Sequence, residues 1–241
     1  MSISKNELRQ VRSLAQKKYR DETGLFVVEG EKMVSEALSS GFEVLSVYRK
    51  EDIGEEAMAR LSSLSSPSPV LAVVRQRVRE KVRPGRGLYL ALDGIRDPGN
   101  LGTILRIADW FGIDGVFASE DTVDLYNPKV VQATMGAIFR VQYHTVDIRS
   151  LCRDVRAEGG HVYGTFLDGD SLYRKSLDTG SESPSVIVIG NEANGISKET
   201  AACIGDRLFI PPYPADEPGS ESLNAAVATA IVVAEFRRQG Q

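Results

Sequence analysis

Short apolar runs alternate with stretches of helical spacing along this chain, and the pattern changes character near residue 76. Before that point, residues 6–18 read as a polar helix and 23–29 as a strand carrying Leu25, Phe26, Val27 and Val28. Met33, Val34, Ala37 and Leu38 have helical spacing over 31–40, with Gly41 as the stop. A strand over 44–48, a helix over 55–64 and a strand over 70–74 complete a small α/β domain, 1–76. The Ser/Pro-rich stretch 62–69 is a loop inside it, because the apolar run after it needs strands to pair with. The charged stretch 77–87, broken by Pro84, Gly85 and Gly87, reads as a linker.

Beyond the linker, strands at 88–92, 115–118, 141–146, 162–166, 186–189 and 208–210 alternate with helices at 101–111, 129–139, 148–158, 197–204 and 223–238. Such alternation predicts βαβ units and a mainly parallel sheet over 88–241. Ligands of such sheets bind at the C-terminal ends of the strands. Three polar loops of this half follow apolar runs and therefore converge on one such edge.

In the first loop, Asp97-Pro98-Gly99 makes a turn, and Asn100 reads either as the cap of the helix behind it or as a functional amide. Arg106 lies roughly opposite that helix's apolar face, as a solvated cation or an anion contact. In the second, Glu192 follows Gly190-Asn191 off a strand, with Asn194-Gly195 as a turn and Ser197 as a helix cap. In the third, Ser222 and Asn224 open a helix rich in small residues (Ala225, Ala226, Ala228, Ala230), either a core helix capped by Ser222 or a subunit interface. There is no GxGxxG and no GxxxxGK[ST], so neither a dinucleotide fingerprint nor a phosphate loop is present.

The 241 residues are 42% hydrophobic and 26% charged, as in ordinary globular proteins, and the net charge of -4 argues against broad attraction to nucleic acid. The basic residues are nevertheless clustered. Lys5, Arg9, Arg12, Lys17, Lys18 and Arg20 crowd the first twenty positions, and Arg75, Arg77, Arg79, Lys81, Arg83 and Arg86 form a second group. Each cluster alone reads as solvated surface; two around one small domain suggest a polyanion footprint. Cys152 and Cys203 have no metal or disulfide spacing, His144 and His161 join no nucleophile, and no metal site is expected. Without a signal-peptide core or a membrane-length apolar run, the expectation is a cytoplasmic protein with no membrane partner.

Asp97-Pro-Gly-Asn-Leu-Gly-Thr-Ile-Leu-Arg106, Ile189-Gly-Asn-Glu-Ala-Asn-Gly-Ile-Ser197, and Ile210-Pro211 with Ser222-Leu-Asn-Ala-Ala-Val-Ala228 resemble, in order, the three motifs of the SpoU (TrmH-like) knotted RNA ribose 2'-O-methyltransferases. Asn127-Pro-Lys-Val-Val-Gln-Ala-Thr-Met-Gly-Ala137 also resembles a family segment. The stretch Gly24-Leu-Phe-Val-Val-Glu-Gly-Glu31 is similar to the small substrate-binding domain that precedes many members. The resemblance implies an α/β fold with a deep C-terminal trefoil knot, a homodimer, S-adenosylmethionine as cofactor and RNA, ribosomal RNA first, as partner. A tRNA substrate, or a binding protein that kept the fold without catalysis, are the alternatives.

It further implies cofactor contacts from Thr165, Leu167, Gly190, Asn191, Ile210, Pro211 and Leu223, catalytic roles for Asn100, Arg106, Glu192, Ser222 and Asn224, and RNA contacts from the basic residues Lys5 to Arg20. Arginine has a pKa above about 12 and is a poor base. Arg106 is therefore read as a phosphate clamp, with deprotonation of the 2'-hydroxyl shared by the RNA phosphate or a desolvated Arg106. One departure is the stretch Pro212 to Glu221, longer and more acidic than the usual family loop, where Asp216 and Glu217 would crowd the cofactor entrance or repel phosphate.

Overall fold

A computed structural model describes residues 3–77, 82–214 and 221–241. It resolves into two units. The first comprises the N-terminal stretch up to 77 together with Asp124–Arg140, and the second the remainder. Asp124–Arg140 is thus grouped with the first unit, although the apolar pattern reads 88–241 as one domain.

In the first unit, α1 (Lys5–Ser13) and α2 (Lys17–Thr23) replace the single helix expected over 6–18. They are followed by β1 (Leu25–Glu29), α3 (Glu31–Ser39), β2 (Val44–Arg49), α4 (Lys50–Ile53), α5 (Glu55–Leu61) and β3 (Val70–Arg75). The sheet order is β1-β3-β2, both pairings antiparallel, with Val27 opposite Val73 and Tyr48 opposite Leu71. Alternate residues of a strand face opposite sides. Leu71 and Val73 join Val11, Leu14, Met58 and Leu61 in one cluster, while the intervening Ala72 and Val74 are also buried. Both faces are covered, which is why β3 is apolar without alternation.

The Asp124–Arg140 segment contributes to this unit through Tyr126, whose ring lies 4.6 Å from that of Phe26, and Phe139, 5.2 Å from Phe42. The helix expected over 129–139 is shorter. It runs Pro128–Ala133, and the chain then turns through Met135 and Gly136, at φ 50° and 100°, into a single 3-10 turn, Ala137–Phe139.

In the second unit, β4 (Gly87–Asp93), α6 (Pro98–Trp110) and β5 (Gly115–Ala118) come first. With the six-residue helix of the first unit numbered α7, there follow β6 (Tyr143–Thr145), α8 (Ile148–Ala157), β7 (His161–Ser171), β8 (Pro184–Gly190), α9 (Lys198–Ala201), β9 (Asp206–Phe209) and α10 (Ala225–Gln239). The sheet order is β6-β5-β4-β8-β7-β9, and every pairing is parallel. β4 and β8 are central, with Leu90 opposite both Val116 and Ile187, and their near-continuous burial is what a strand covered on both faces requires. On one face α8 packs Ile148, Leu151, Cys152 and Val155 against Tyr89, Ala91, Phe117, Val186 and Val188. Each fully buried valine, leucine, isoleucine or phenylalanine side chain of this kind stabilises by roughly 1.5–3 kcal/mol. Because all strands run in parallel, the loops after β4, β8, β7 and β9 emerge at the same edge of the sheet.

Candidate active site

The first loop is fixed by its helix. The Asp97 carboxylate accepts the backbone N–H of Asn100 at 2.8 Å, with Pro98 at the first helical position. Asp97, not Asn100, is therefore the cap of α6, and an Asp followed by Pro is the sequence signal for it. Asn100 sits inside the first turn with its amide released for other work.

The second loop turns back on itself. Asn191 and Gly195 exchange backbone hydrogen bonds at 3.0 and 2.9 Å, while the Asn191 side chain accepts from the N–H groups of Ala193 and Asn194. A Cβ on Gly190 would lie 2.2 Å from the Gly195 backbone, so only glycine permits this return. The Asn191 amide also donates to the Gly94 carbonyl at 2.7 Å, and the Ser197 N–H donates to the Asp93 carboxylate at 2.8 Å. These two bonds tie the second loop to the first. Ser197 caps α9 as expected.

The third loop enters through Asn224, which caps α10. Its Oδ1 accepts the N–H groups of Ala226 and Val227. Ser222, the alternative cap, lies outside the helix and exposed.

One line of side chains joins the three loops. Asn224 Nδ2 donates to Asn100 Oδ1 at 2.9 Å, and Asn100 Nδ2 donates to Glu192 Oε1 at 2.6 Å. The line has a direction. A carboxylate only accepts and helix N-termini only donate, so both amides must point their N–H groups toward Glu192. Asn100 is buried, whereas Glu192 and Asn224 are exposed. The arrangement can hold a polar ligand hydroxyl beside Glu192.

Arg106 is not part of that line. It lies on the exposed side of α6, six residues and about 9 Å along the helix axis from Asn100. Of the other positions, Thr165 is half-buried in β7 with its hydroxyl toward the Val188 carbonyl (3.4 Å), Gly190 is buried, Asn191, Ile210 and Pro211 are half-buried, and Leu167 and Leu223 are 70% and 49% exposed. Asp216 and Glu217, and Arg79 and Lys81 of the second basic group, lie outside the described residues. Among the described residues no cluster of metal-ligating side chains occurs and no helix is long and apolar enough to cross a membrane. Burial pushes the Cys152 thiol up to about 12, so it is inert as a nucleophile at neutral pH.

The basic N-terminal cluster divides. Lys5, Arg9 and Arg12 are exposed on α1 at the spacing of one helical face, and Lys17 and Lys18 are exposed on α2, paired with Asp21 and Glu22. Arg20 departs from the expectation of an RNA contact. It is 2% exposed, donates to the carbonyls of Leu14 and Ala15, and is paired with Asp124 through two nitrogens at 2.6 and 3.2 Å. Four of its five N–H donors are so committed, and at 2% exposure the guanidinium is closed to a phosphate outside.

Residues 87–234 match the SpoU rRNA Methylase family, and residues 5–82 match the MRM3-like substrate binding domain. The chain belongs to the SpoU rRNA methylase family. It is 30% identical to the 23S rRNA (guanosine(2553)-2'-O)-methyltransferase RlmP of Bacillus subtilis, with 98% of each chain covered. An AdoMet-bound rRNA methyltransferase from Sinorhizobium meliloti superimposes with a TM-score of 0.85 at 31% identity, covering 99% of this chain and 96% of that one. A TrmH-family protein from Porphyromonas gingivalis gives 0.88 at 39% identity, covering 99% and 100%. The SpoU match spans all three loops.

Proposed function

We propose that this protein is an S-adenosylmethionine-dependent RNA ribose 2'-O-methyltransferase acting on ribosomal RNA. The observation that carries the reading is the line from α10 through Asn224 and Asn100 to Glu192, which makes one site of three separate motifs. The residues present fit the cofactor. Leu167 and Leu223 offer exposed apolar side chains, a chemistry that suits the faces of a purine, while Thr165, Gly190, Asn191, Ile210 and Pro211 lie at the same sheet edge as the polar line. When bound, S-adenosylmethionine would supply an electrophilic methyl group, its sulfur–methyl bond breaking to leave a neutral thioether.

The chain's own residues do the rest by positioning. Asn100 and Glu192 orient the ribose, with Ser222 and Asn224 completing the polar wall. Arg106, exposed and permanently charged, clamps the adjoining phosphate. The hydroxyl proton leaves toward an oxygen of that phosphate as the ribose oxygen gains its methyl group. Holding the hydroxyl at attack distance lowers the barrier by several kcal/mol, about 7–11 in favourable cases.

In the same reading, the first unit binds RNA through Lys5, Arg9, Arg12, Lys17 and Lys18. The C-terminal segment threads a deep trefoil knot, a path supported by β8 lying between β4 and β7 and by α10 returning to pack on α6. The outer side of the α6 and α10 pair, with Trp110 at 84% and Val227 at 49% exposure, is the homodimer face. The cytoplasm is its place of work, and both cysteines stand as free thiols.

The test is transfer of labelled methyl from S-adenosylmethionine to unmodified ribosomal RNA, with transfer RNA in a parallel arm. The unaltered protein should label ribosomal RNA on ribose, and Arg106→Ala should lose that activity while keeping cofactor affinity. Cofactor binding with no transfer to either RNA would instead favour a protein that binds RNA without modifying it.

A further inference from the structure

The ladder between β7 and β9 is interrupted. Thr165 and Asp170 both lie opposite Leu208, so Phe166, Leu167, Asp168 and Gly169 leave the ladder and return to it at the same partner. Excursions of this kind are built features that re-aim a side chain. Here the side chain presented is Leu167, 70% exposed at the sheet edge where the three motif loops emerge.

One residue of β9 holds the excursion. The Arg207 guanidinium carbon lies 3.5 Å from the Phe166 ring centroid, and its Nη2 is paired with the Asp168 carboxylate. A Cβ on Gly169 would come within 2.6 Å of the Arg207 carbonyl oxygen and 2.9 Å of its Cβ, so the returning backbone crosses directly over Arg207. Phe166, Asp168 and Gly169 thus each meet Arg207, while Leu167 between them stands 70% exposed. At the foot of the excursion, Lys175 bridges Asp170 and Asp206 at 2.7 and 2.6 Å.

We infer that Arg207 is a positioning residue that holds the Phe166–Gly169 excursion of β7 in the shape in which Thr165 and Leu167 receive S-adenosylmethionine. The inference rests on the cofactor reading above. The Arg207–Asp168 pair is itself solvent-accessible and adds little to stability. Its use is pre-organisation, since four residues already ordered do not have to be ordered on binding. A guanidinium can stack with its face and pair with its edge at once, which an ammonium cannot.

Three variants of the full chain test this: Arg207→Gln, Arg207→Lys and Asp168→Asn. In cofactor-free protein, Arg207→Gln should speed amide hydrogen exchange over 166–169 while leaving the melting temperature unchanged. By calorimetry it should weaken S-adenosylmethionine binding about fivefold, with Arg207→Lys recovering less than half of the loss and Asp168→Asn losing about twofold. The KM for cofactor should rise in step, with kcat and the KM for RNA unmoved, a split that general loosening of the fold would not give. Wild-type binding that Arg207→Gln leaves within twofold, or unchanged exchange over 166–169, overturns the inference alone. Absence of binding by the unaltered protein overturns the cofactor reading and the inference with it.

Discussion

Arg20 in the first unit and Arg106 in the second are both cations that the sequence offers to RNA, and the fold treats them oppositely. Arg20 is sealed at 2% exposure among two carbonyls and a carboxylate, whereas Arg106 stands on the outside of α6. A buried charge must be paired, and once paired it holds elements together. An exposed charge adds little to stability and remains able to meet a ligand. Burial, not residue type or local clustering, separates the cation that holds the fold from the one left accessible.

Breaking the sealed arginine should have the largest effect. Arg20→Ala removes the donors that satisfy the Leu14 and Ala15 carbonyls at the end of α1 and leaves the part-buried Asp124 carboxylate without its cation, at a cost of about 3 kcal/mol. Denaturant unfolding should show this loss, while Arg106→Ala should unfold like the unaltered protein within about 0.5 kcal/mol. Equal losses for the two variants would erase the distinction.

The next largest effect sharpens the contrast from the second unit. Asn100→Asp keeps the size of the side chain but replaces the donor facing Glu192 with an acceptor, setting two carboxylates where a 2.6 Å hydrogen bond stands. Methyl transfer should fall about a hundredfold. Glu192→Gln is expected to be milder, since its amide oxygen can still accept from Asn100. A loss as large for Glu192→Gln as for Asn100→Asp would mean that the carboxylate charge, not the directed line, is what matters.

The sequence made the skeleton of both units legible because apolar spacing is local. The runs 70–74, 88–92, 115–118 and 186–189 all became strands. What it hid was set by distant partners. The break between α1 and α2 carries no glycine or proline; the carbonyls it frees are met by Arg20, which is oriented by Asp124, 104 residues away. The helix expected to reach 139 stops at Ala133, where the buried Thr134 hydroxyl turns back to the Val131 carbonyl ahead of Met135 and Gly136. At the site, all three loops were readable by residue type, but their hydrogen-bonded line was not. Asn100 reads as a cap because its residue type suits that role, but the Asp97-Pro98 pair marks the true cap one turn earlier and leaves the Asn100 amide for the line.

An ion pair of the second unit with one exposed partner gives a smaller, pH-dependent contrast. Glu235 is buried at 8% side-chain exposure, and hydrogen bonds from Arg238 and then Gln239 lower its carboxyl from the usual 4.5 to about 2. The contribution is therefore complete above about pH 4.5 and is lost as the pH falls toward 2, where the folded form also protonates. Because Arg238 is 66% exposed, the contribution should stay below about 1 kcal/mol. The stability gap between the protein and Glu235→Gln should close between those two pH values, and added salt should narrow it more than it narrows the Arg20–Asp124 contribution.

The smallest effects divide the exposed cations of the first unit among themselves. Lys17 is engaged by Asp21 at 2.6 Å, whereas no such pair holds Arg12 among the described residues. Neither should matter to folding by more than a few tenths of a kcal/mol. Toward RNA they should differ, because a cation already neutralised by its neighbour displaces fewer counterions. Arg12→Ala should lower the slope of log affinity against log salt by about one, and Lys17→Ala by less. If instead both variants lowered it equally, the Asp21 pair would be one that RNA breaks on binding, and the exposed face would extend from α1 onto α2; if neither did, the cluster would be solvated surface, and the first unit's exposed arginines would be as uninvolved with phosphate as the buried one.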